Sequence, residues 1–219
     1  FFHPRLMPDI AALEPALTAG LPPAITAATG MDAFTHCLES YLSPTFHPLA
    51  DGVAFEGMRL VLQSLPVVVR EGANVEARGR MQMAAAMGAT AFQKGLGMTH
   101  SLAHPLSAEY DMHHGLANAV LLPFCLTFLE TSPMSEQDRE KLRLVRRLFE
   151  DHGLPRGGLG AALRAFVESL GLTTGLRNHG VPQGDLDKLA DLAFKDPCHR
   201  SNMVPVVRDD LGRVYKEAW

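Results

Sequence analysis

Acidic and imidazole side chains at helical spacing have the clearest chemical meaning in this sequence. Asp32 and His36 lie four residues apart in MDAFTHCLESY, and His100 and His104 repeat that spacing in GLGMTHSLAHPL. Residues four apart project from one face of an α-helix, so each pair can reach a common point. His114 follows in DMHHGLANAV. One carboxylate and three imidazoles suit Fe²⁺, Zn²⁺ or Mn²⁺ and leave room for a water or substrate oxygen, so the spacing predicts a metal site.

The Asp32–His36 pair and the later histidines differ in how strongly they indicate a metal site. An isolated D-x-x-x-H pair occurs by chance on surface helices, whereas the later histidines lie in an apolar, Gly-rich segment where buried imidazoles need partners. His113 and His114 are adjacent and should point apart, so we expect only one of them to be a ligand. The other histidines have no partner at ligand spacing and are expected in loops or at helix ends without a role: His3, His47, His152, His179 and His199.

Composition limits the class of protein. The chain has 219 residues, a formal charge of −4 and 47% hydrophobic residues, which suits one globular domain. Lys and Arg are scattered, so neither nucleic acid nor a membrane surface is an expected partner. The apolar run VLQSLPVVV at 61–69 is short and interrupted, and no transmembrane helix is predicted. Three widely spaced cysteines indicate reduced thiols that pack in the core of a cytoplasmic protein.

The periodicity of apolar residues predicts an all-α, multi-helix bundle. Pro15 closes an extended first segment, Gly30 is expected to separate two helices, and Pro105 is expected to end the helix that carries His100 and His104. A helix rich in Ala and Gly at 81–92 should be central and buried. The other predicted helices cover 49–64, 139–151, 159–170, 183–194 and 209–218.

Several common enzyme motifs are missing from the sequence. GLG at 95–97 and GGLG at 157–160 do not complete a dinucleotide-binding fingerprint and follow no predicted strand. There is no G-x-S-x-G nucleophile elbow and no Walker A loop. The absence of a His-Asp dipeptide counts against a helical metal phosphohydrolase.

Two segments, GMDAFTHCLESY and KGLGMTHSLAHPLSAEYDMHHGLANAVLLP, closely resemble the iron-containing (group III) alcohol dehydrogenases. The likeness covers essentially the whole chain, more loosely through DPCHRSN at 196–202. It implies the dehydroquinate synthase-like helical bundle that forms the C-terminal domain of that family. It also implies that Asp32, His36, His100 and His114 are the metal ligands and that His104 is a non-ligand residue of a proton relay.

The resemblance further implies that only half of an enzyme is present. Residues 1–20 would be a linker from a missing N-terminal dinucleotide-binding domain, and 21–219 the helical metal-binding catalytic domain. The opening on Phe1, without an initiator methionine, agrees with this interpretation. The chain alone should therefore not turn over substrate.

The implied reaction is the reversible oxidation of a small alcohol to an aldehyde or ketone with NAD or NADP. Fe²⁺, with Zn²⁺ as the alternative occupant, would act as a Lewis acid. A homodimer is compatible with the resemblance. Two alternatives stay open: a non-catalytic, metal-stabilised helical module that binds a partner protein, and a glycerol dehydrogenase-like or maleylacetate reductase-like member of the same superfamily.

Overall fold

The computed structural model describes residues 9–219, and throughout that range the regular structure is helical. The prediction of an all-α bundle is confirmed. Residues 1–8, which include His3 and the first part of the predicted linker, lie outside the described range. Residues 9–14 are irregular and Pro15–Thr18 forms a 3₁₀ turn, so the extended segment ends one residue earlier than predicted. The α-helices are α1 (Pro23–Leu42), α2 (Pro48–Arg70), α3 (Val75–Ala91), α4 (Met98–Tyr110), α5 (His114–Thr131), α6 (Glu136–Asp151), α7 (Leu159–Ser169), α8 (Leu186–Lys195) and α9 (Arg208–Ala218).

Two helices form the centre of the bundle. α1 packs against α2, α3 and α5, and α5 also packs against α4, α7 and α9. Both helices are apolar on nearly all sides, which is the pattern of a helix surrounded by others. Because the histidines and acids of the predicted metal site start from α1, α4 and α5, the packing of these three helices determines its geometry.

α1 is a single helix, so the predicted break at Gly30 is wrong. A Cβ atom at Gly30 would lie 2.3 Å from Cδ1 of Leu65. The glycine therefore allows α2 to approach α1 closely, and its small size serves packing rather than termination. Loss of helix propensity at one glycine, about 1 kcal/mol, is offset here by the contact between helices.

The internal prolines of α2 and α4 do not end their helices. α4 continues through Pro105 to Tyr110 and stops at Asp111, whose left-handed backbone (φ 50°) ends the helix. The prediction that α4 ends at Pro105 is wrong. α2 likewise runs through Pro66 to Arg70, six residues beyond its predicted end. Proline removes one backbone hydrogen bond, and the burial of Leu106 and Val68 beyond each proline favours continuing the helix.

α3 is not the buried central helix that its composition suggested. It begins at Val75, where the Asn74 side chain accepts the N–H of Ala77, and most of its residues are at least partly exposed. Its small residues do allow close packing on one side, since a Cβ at Gly88 would lie 3.0 Å from Cβ of His36. The Ala and Gly residues of α3 correctly indicated a close contact with a neighbouring helix. The prediction that the whole of this helix is buried is wrong.

α2 contains the apolar run 61–69 and extends well beyond it. With 23 residues, Pro48–Arg70 is long and apolar enough to cross a membrane by length and composition alone, and it is the one such helix among the described residues. A single helix of this kind is weak evidence, because core helices of water-soluble proteins pass the same test. In this bundle α2 packs against α1 and α3.

The predicted helices of the C-terminal half are confirmed, with small shifts of their ends. α6 starts three residues earlier than expected, because the Ser135 hydroxyl accepts the N–H of Asp138 and caps its first turn. A 3₁₀ turn at Gln183–Asp185 precedes α8. All three cysteines are free, as predicted; Cys37 and Cys125 are buried and Cys198 is half-buried.

Candidate metal centre

Three helices bring the predicted ligands to one place. Asp32 and His36 come from α1, His100 from α4, and His114 from the first turn of α5. Asp32, His36 and His100 each offer a ligand atom within 4.8 Å of the others. His114 Nε2 lies 3.4 Å from Asp32 Oδ1. The four side chains from three separate segments therefore form one cluster.

The amide of Asn118, one turn beyond His114, lies where the lone pairs of this cluster meet. Its Nδ2 is 2.7 Å from Asp32 Oδ1, 3.1 Å from His114 Nε2 and 3.4 Å from His100 Nε2. An amide nitrogen has two hydrogens and faces three acceptors, while its own Oδ1 is buried without a hydrogen-bond partner. Three acceptors around one point, with an orphaned buried oxygen beside them, are an environment that fits a cation.

Glu39 determines which nitrogen of His100 faces this point. Its buried carboxylate accepts the backbone N–H of Gly97 (2.9 Å) and of Thr99 (2.7 Å) and lies 2.6 Å from His100 Nδ1. A carboxylate that is only an acceptor requires the proton on Nδ1, so His100 Nε2 presents a lone pair. Burial acts to raise the pKa of Glu39, but the hydrogen bonds from His100 and from those backbone N–H groups lower it below its ordinary value.

Burial favours the neutral form of His36 and of His114, which is the form that a metal ligand needs. Burial lowers the pKa of His36 to about 4, against the opposing effect of the Asp32 charge. Burial also lowers the pKa of His114. The ring of His36 lies 4.7 Å from that of His100 and 5.4 Å from that of Phe92, between centroids. The site therefore offers unprotonated nitrogen donors at neutral pH.

His104 lies beside this cluster and is held by a different acid. Its ring stacks on His114 at 5.3 Å between centroids, and its Nδ1 is 2.8 Å from Asp196 Oδ2. The hydrogen bond to Asp196 raises the pKa of His104, although burial opposes it. Burial acts to raise the pKa of Asp196, but the hydrogen bonds from His104, Cys198 and Ser101 bring it well below its ordinary value. The side chain of His104 stays 43% exposed and can exchange protons with solvent.

The Asp196 segment forms a second group of candidate ligands. His104, Asp196 and Cys198 lie within 4.8 Å of one another. Asp196 Oδ1 already accepts the Ser101 hydroxyl and the Cys198 N–H, so this group is better described as a network that orients His104. His199 lies in the 3₁₀ turn Cys198–Ser201, outside the α-helices as expected, but it is buried, and its backbone N–H donates to Ser101 Oγ at 2.8 Å.

Comparison with known proteins identifies the family. A sequence model described as "Fe-containing alcohol dehydrogenase family, C-terminal" matches residues 26–219. This chain belongs to the iron-containing alcohol dehydrogenase family. The resemblance expected from the two histidine-bearing segments is confirmed.

Individual members of the family align with nearly the whole chain. The 4-hydroxybutyrate dehydrogenase of Cupriavidus necator is 39% identical over 99% of this chain and 58% of its own length. The crystal structure of a 1,3-propanediol oxidoreductase superposes with a TM-score of 0.83 at 33% identity, covering 94% of this chain and 54% of that one. The maleylacetate reductase of Rhizobium sp. strain MTP-10005 reaches 0.80 at 28% identity, covering 94% and 55%. The chain thus spans a little over half the length of the family members that it matches.

Sequence reasoning missed the residues around the family's histidines. Glu39, Asn118 and Asp196 all contact a predicted site residue, but none was singled out. Glu39 is one turn beyond His36, and Asn118 is one turn beyond His114, so helical spacing was a signal for both. His113 is exposed, and half-buried His114 faces the cluster, which agrees with the expectation that the two point apart.

A side-chain methyl group at Gly115 should disturb the packing of α5 against α1. A Cβ there would lie 2.3 Å from the carbonyl oxygen of Ala28, which is α1 backbone and cannot rotate away. We expect Gly115→Ala to lower the free energy of unfolding by about 1–3 kcal/mol, despite the better helix propensity of alanine. Urea denaturation gives this quantity. Gly184→Ala, which has no atom within 4 Å, is the control, and equal stability of both variants would contradict the close approach of α5 to α1.

Proposed function

We propose that this chain is the metal- and substrate-binding half of an NAD(P)-dependent alcohol oxidoreductase. The observation that carries the proposal is the convergence of Asp32 Oδ1, His100 Nε2 and His114 Nε2 on one buried point, with His36 beside it. The reaction is the interconversion of a small alcohol with its aldehyde or ketone, coupled to the nicotinamide cofactor. The names of the aligned relatives, a 4-hydroxybutyrate dehydrogenase and a 1,3-propanediol oxidoreductase, support a small hydroxylated substrate.

Asp32, His36, His100 and His114 would hold the ion in this proposal. Fe²⁺, or Zn²⁺ as the alternative, would supply a Lewis acid that lowers the pKa of the substrate hydroxyl. Glu39 keeps His100 in the tautomer that can bind, as carboxylates do for metal-binding histidines. Phe92, which is partly exposed, adds an apolar contact to the ring of His36.

His104 is the proposed proton relay. Asp196 accepts the proton on Nδ1, so the neutral ring presents the lone pair of Nε2 toward a proton donor. Nε2 takes the proton that the alcohol loses on oxidation and returns it when the carbonyl is reduced. Because the side chain is partly exposed, the proton can pass from the ring to solvent.

The complete enzyme in this proposal contains a second domain. An N-terminal dinucleotide-binding domain would hold NAD or NADP across a cleft from the histidines, and residues 1–20 would link it to the helical domain at 21–219. The protein would be cytoplasmic, and a homodimer is compatible with it. The alignments, which leave over two fifths of each relative unmatched, support a second domain.

Two other functions predict different outcomes. A non-catalytic module would bind metal without any turnover, even in the longer protein. A maleylacetate reductase-like activity is compatible with the shared fold. The chain has the ligand pattern D-x-x-x-H with H-x₁₃-H. This pattern favours an alcohol dehydrogenase, because the ligand patterns of maleylacetate reductases and of glycerol dehydrogenases differ from it.

The test of the proposal is an activity assay on two forms of the protein. A longer form that includes the N-terminal dinucleotide-binding domain, loaded with Fe²⁺ or Zn²⁺, should form reduced nicotinamide when a short primary alcohol is added. Removal of the ion with a chelator should abolish this activity, and the 219-residue chain should have none. Metal binding without activity toward any small alcohol or carbonyl compound would favour the non-catalytic module.

A further inference from the structure

Lys94 is a fully buried lysine close to the metal centre but outside it. It ends the 3₁₀ turn Phe92–Lys94 that follows α3, and its side chain has no exposed surface. Its Nζ donates to the carbonyl oxygens of Ser40 (3.0 Å) and Tyr41 (3.2 Å) and to Asp51 Oδ1. A buried ammonium group is retained only with such partners, so its position is closely determined.

The partners of Lys94 belong to the end of the helix that carries two of the proposed ligands. The carbonyls of Ser40 and Tyr41 lie in the last turn of α1, where helix carbonyls lack partners within the helix and carry partial negative charge. An ammonium group at that place both satisfies the carbonyls and stabilises the helix end. Lys94 therefore holds the turn that directly follows Glu39.

The residues that follow Lys94 lead directly to α4, the helix that carries His100. Gly95–Gly97 connects Lys94 to α4, and His100 lies in the first turn of that helix. Glu39 accepts hydrogen bonds from this same connection, at Gly97, and from Thr99. In addition, the Ser43 hydroxyl donates to the carbonyl of Lys94 at 3.3 Å. Contacts in both directions thus tie the end of α1 to the start of α4.

The connection has no room to shift. A Cβ atom at Gly95 would lie 2.6 Å from Cβ of Ser201, and one at Gly97 would lie 2.7 Å from Oε1 of Glu39. Gly95 also has a backbone φ of 132°, which a side chain would strain. Since the backbone between Lys94 and His100 is packed on both sides, a movement of Lys94 relative to α1 would be passed on to His100.

From these contacts we infer that Lys94 is a positioning residue of the metal centre: it fixes α1 against the start of α4 and so sets the separation of His36 from His100. The inference rests on the proposed metal-binding function. It concerns metal affinity and coordination geometry, and Lys94 itself touches neither ligand nor substrate.

Lys141 offers a matched control. Its Nζ, from α6, donates to the same Tyr41 carbonyl (2.7 Å) and to the other oxygen of Asp51 (3.2 Å), and it lies over the Tyr41 ring. It has no hydrogen bond to the connection between α3 and α4. Replacing Lys94 leaves Asp51 Oδ2 and the Tyr41 carbonyl with Lys141, so the Ser40 carbonyl and Asp51 Oδ1 lose their lysine donor. We therefore expect both variants to fold.

The experiment compares Lys94→Met with Lys141→Met and the wild type. Zn²⁺ affinity is measured by competition with a chromophoric chelator, and the absorption spectrum of the Co²⁺-loaded protein reports coordination geometry. We expect Lys94→Met to weaken Zn²⁺ binding about 10–100-fold, as changes around metal ligands do, and to alter the Co²⁺ spectrum. Lys141→Met should leave both unchanged, even where the two variants lose similar thermal stability.

The outcomes separate this inference from the proposed function. Wild-type Zn²⁺ affinity and Co²⁺ spectrum in Lys94→Met would overturn the positioning role. An equal loss in Lys141→Met would overturn it too, because the effect would then follow from general destabilisation of α1. A wild-type protein that binds neither ion would refute the metal centre itself. If Lys94→Met does not fold, Lys94→Gln, which keeps a donor without the charge, is measured in the same way and against the same criteria.

Discussion

Replacing His100 with alanine should abolish metal binding. His100 is 1% exposed, contributes Nε2 to the point where the cluster converges, and is held by Glu39 through Nδ1. Changes to the partners of metal ligands cost about 10–100-fold in affinity, so loss of the ligand itself should exceed roughly 100-fold. Metal content by inductively coupled plasma mass spectrometry on anaerobically purified protein measures the effect. We expect about one Fe or Zn per wild-type chain and none in His100→Ala.

His113→Ala is the matched control for this loss. His113 is exposed and precedes His114, so its removal deletes an imidazole of the same segment without touching the cluster. It should keep the metal. His100→Ala also leaves the buried Glu39 carboxylate without an imidazole partner, and circular dichroism must show that the variant is folded. A folded His100→Ala variant with full metal content would contradict the assignment of His100 as a ligand.

His104→Ala should slow turnover while the metal stays bound. His104 lies next to the cluster, and Asp196 occupies its Nδ1. A positioned general acid or base contributes about 10²–10⁴ in rate, so a loss of roughly 10²-fold or more in kcat is expected in the complete enzyme. Steady-state kinetics together with metal analysis of the same sample tests this. Loss of metal in His104→Ala would instead make His104 a ligand.

Asp196→Asn gives this relay a pH signature. Asp196 raises the pKa of His104, and an amide in its place can accept the Nδ1 proton but has no charge. Alcohol oxidation needs the neutral ring, so its rate should rise with pH through the pKa of His104. Without the Asp196 charge that pKa falls, and the rising limb should move to lower pH. If the rise of the oxidation rate with pH is the same in Asp196→Asn as in the wild type, another group takes the proton.

The histidine pattern and the helical class followed from local sequence alone. The 3.6-residue period and the absence of alternating strands predicted a bundle, and the spacing of Asp32 with His36 placed both on one helix face. The resemblance of two short segments led to the iron-containing alcohol dehydrogenases, and the family match confirms it. These inferences succeeded because each depends on residues that are close in sequence.

The limits of the helices were decided by packing. Gly30 and Pro105 both signal a helix break locally, yet α1 and α4 continue through them. The approach of Leu65 to Gly30 and the burial of Leu106 after Pro105 outweigh a local preference of a few kcal/mol at most. No local pattern contains those contacts, since the partner of Gly30 comes from another helix.

The environment of the site was likewise a product of the tertiary structure. Asp196 meets His104 across 92 residues, Glu39 meets His100 across 61, and Lys94 meets Ser40 across 54. Helical spacing states which side chains of one segment share a face, but it contains no information on which turn of another helix will face them. The sequence by itself thus determined the donor groups and their helices, whereas the packing of α1, α4 and α5 determined their tautomers, their charges and their separation.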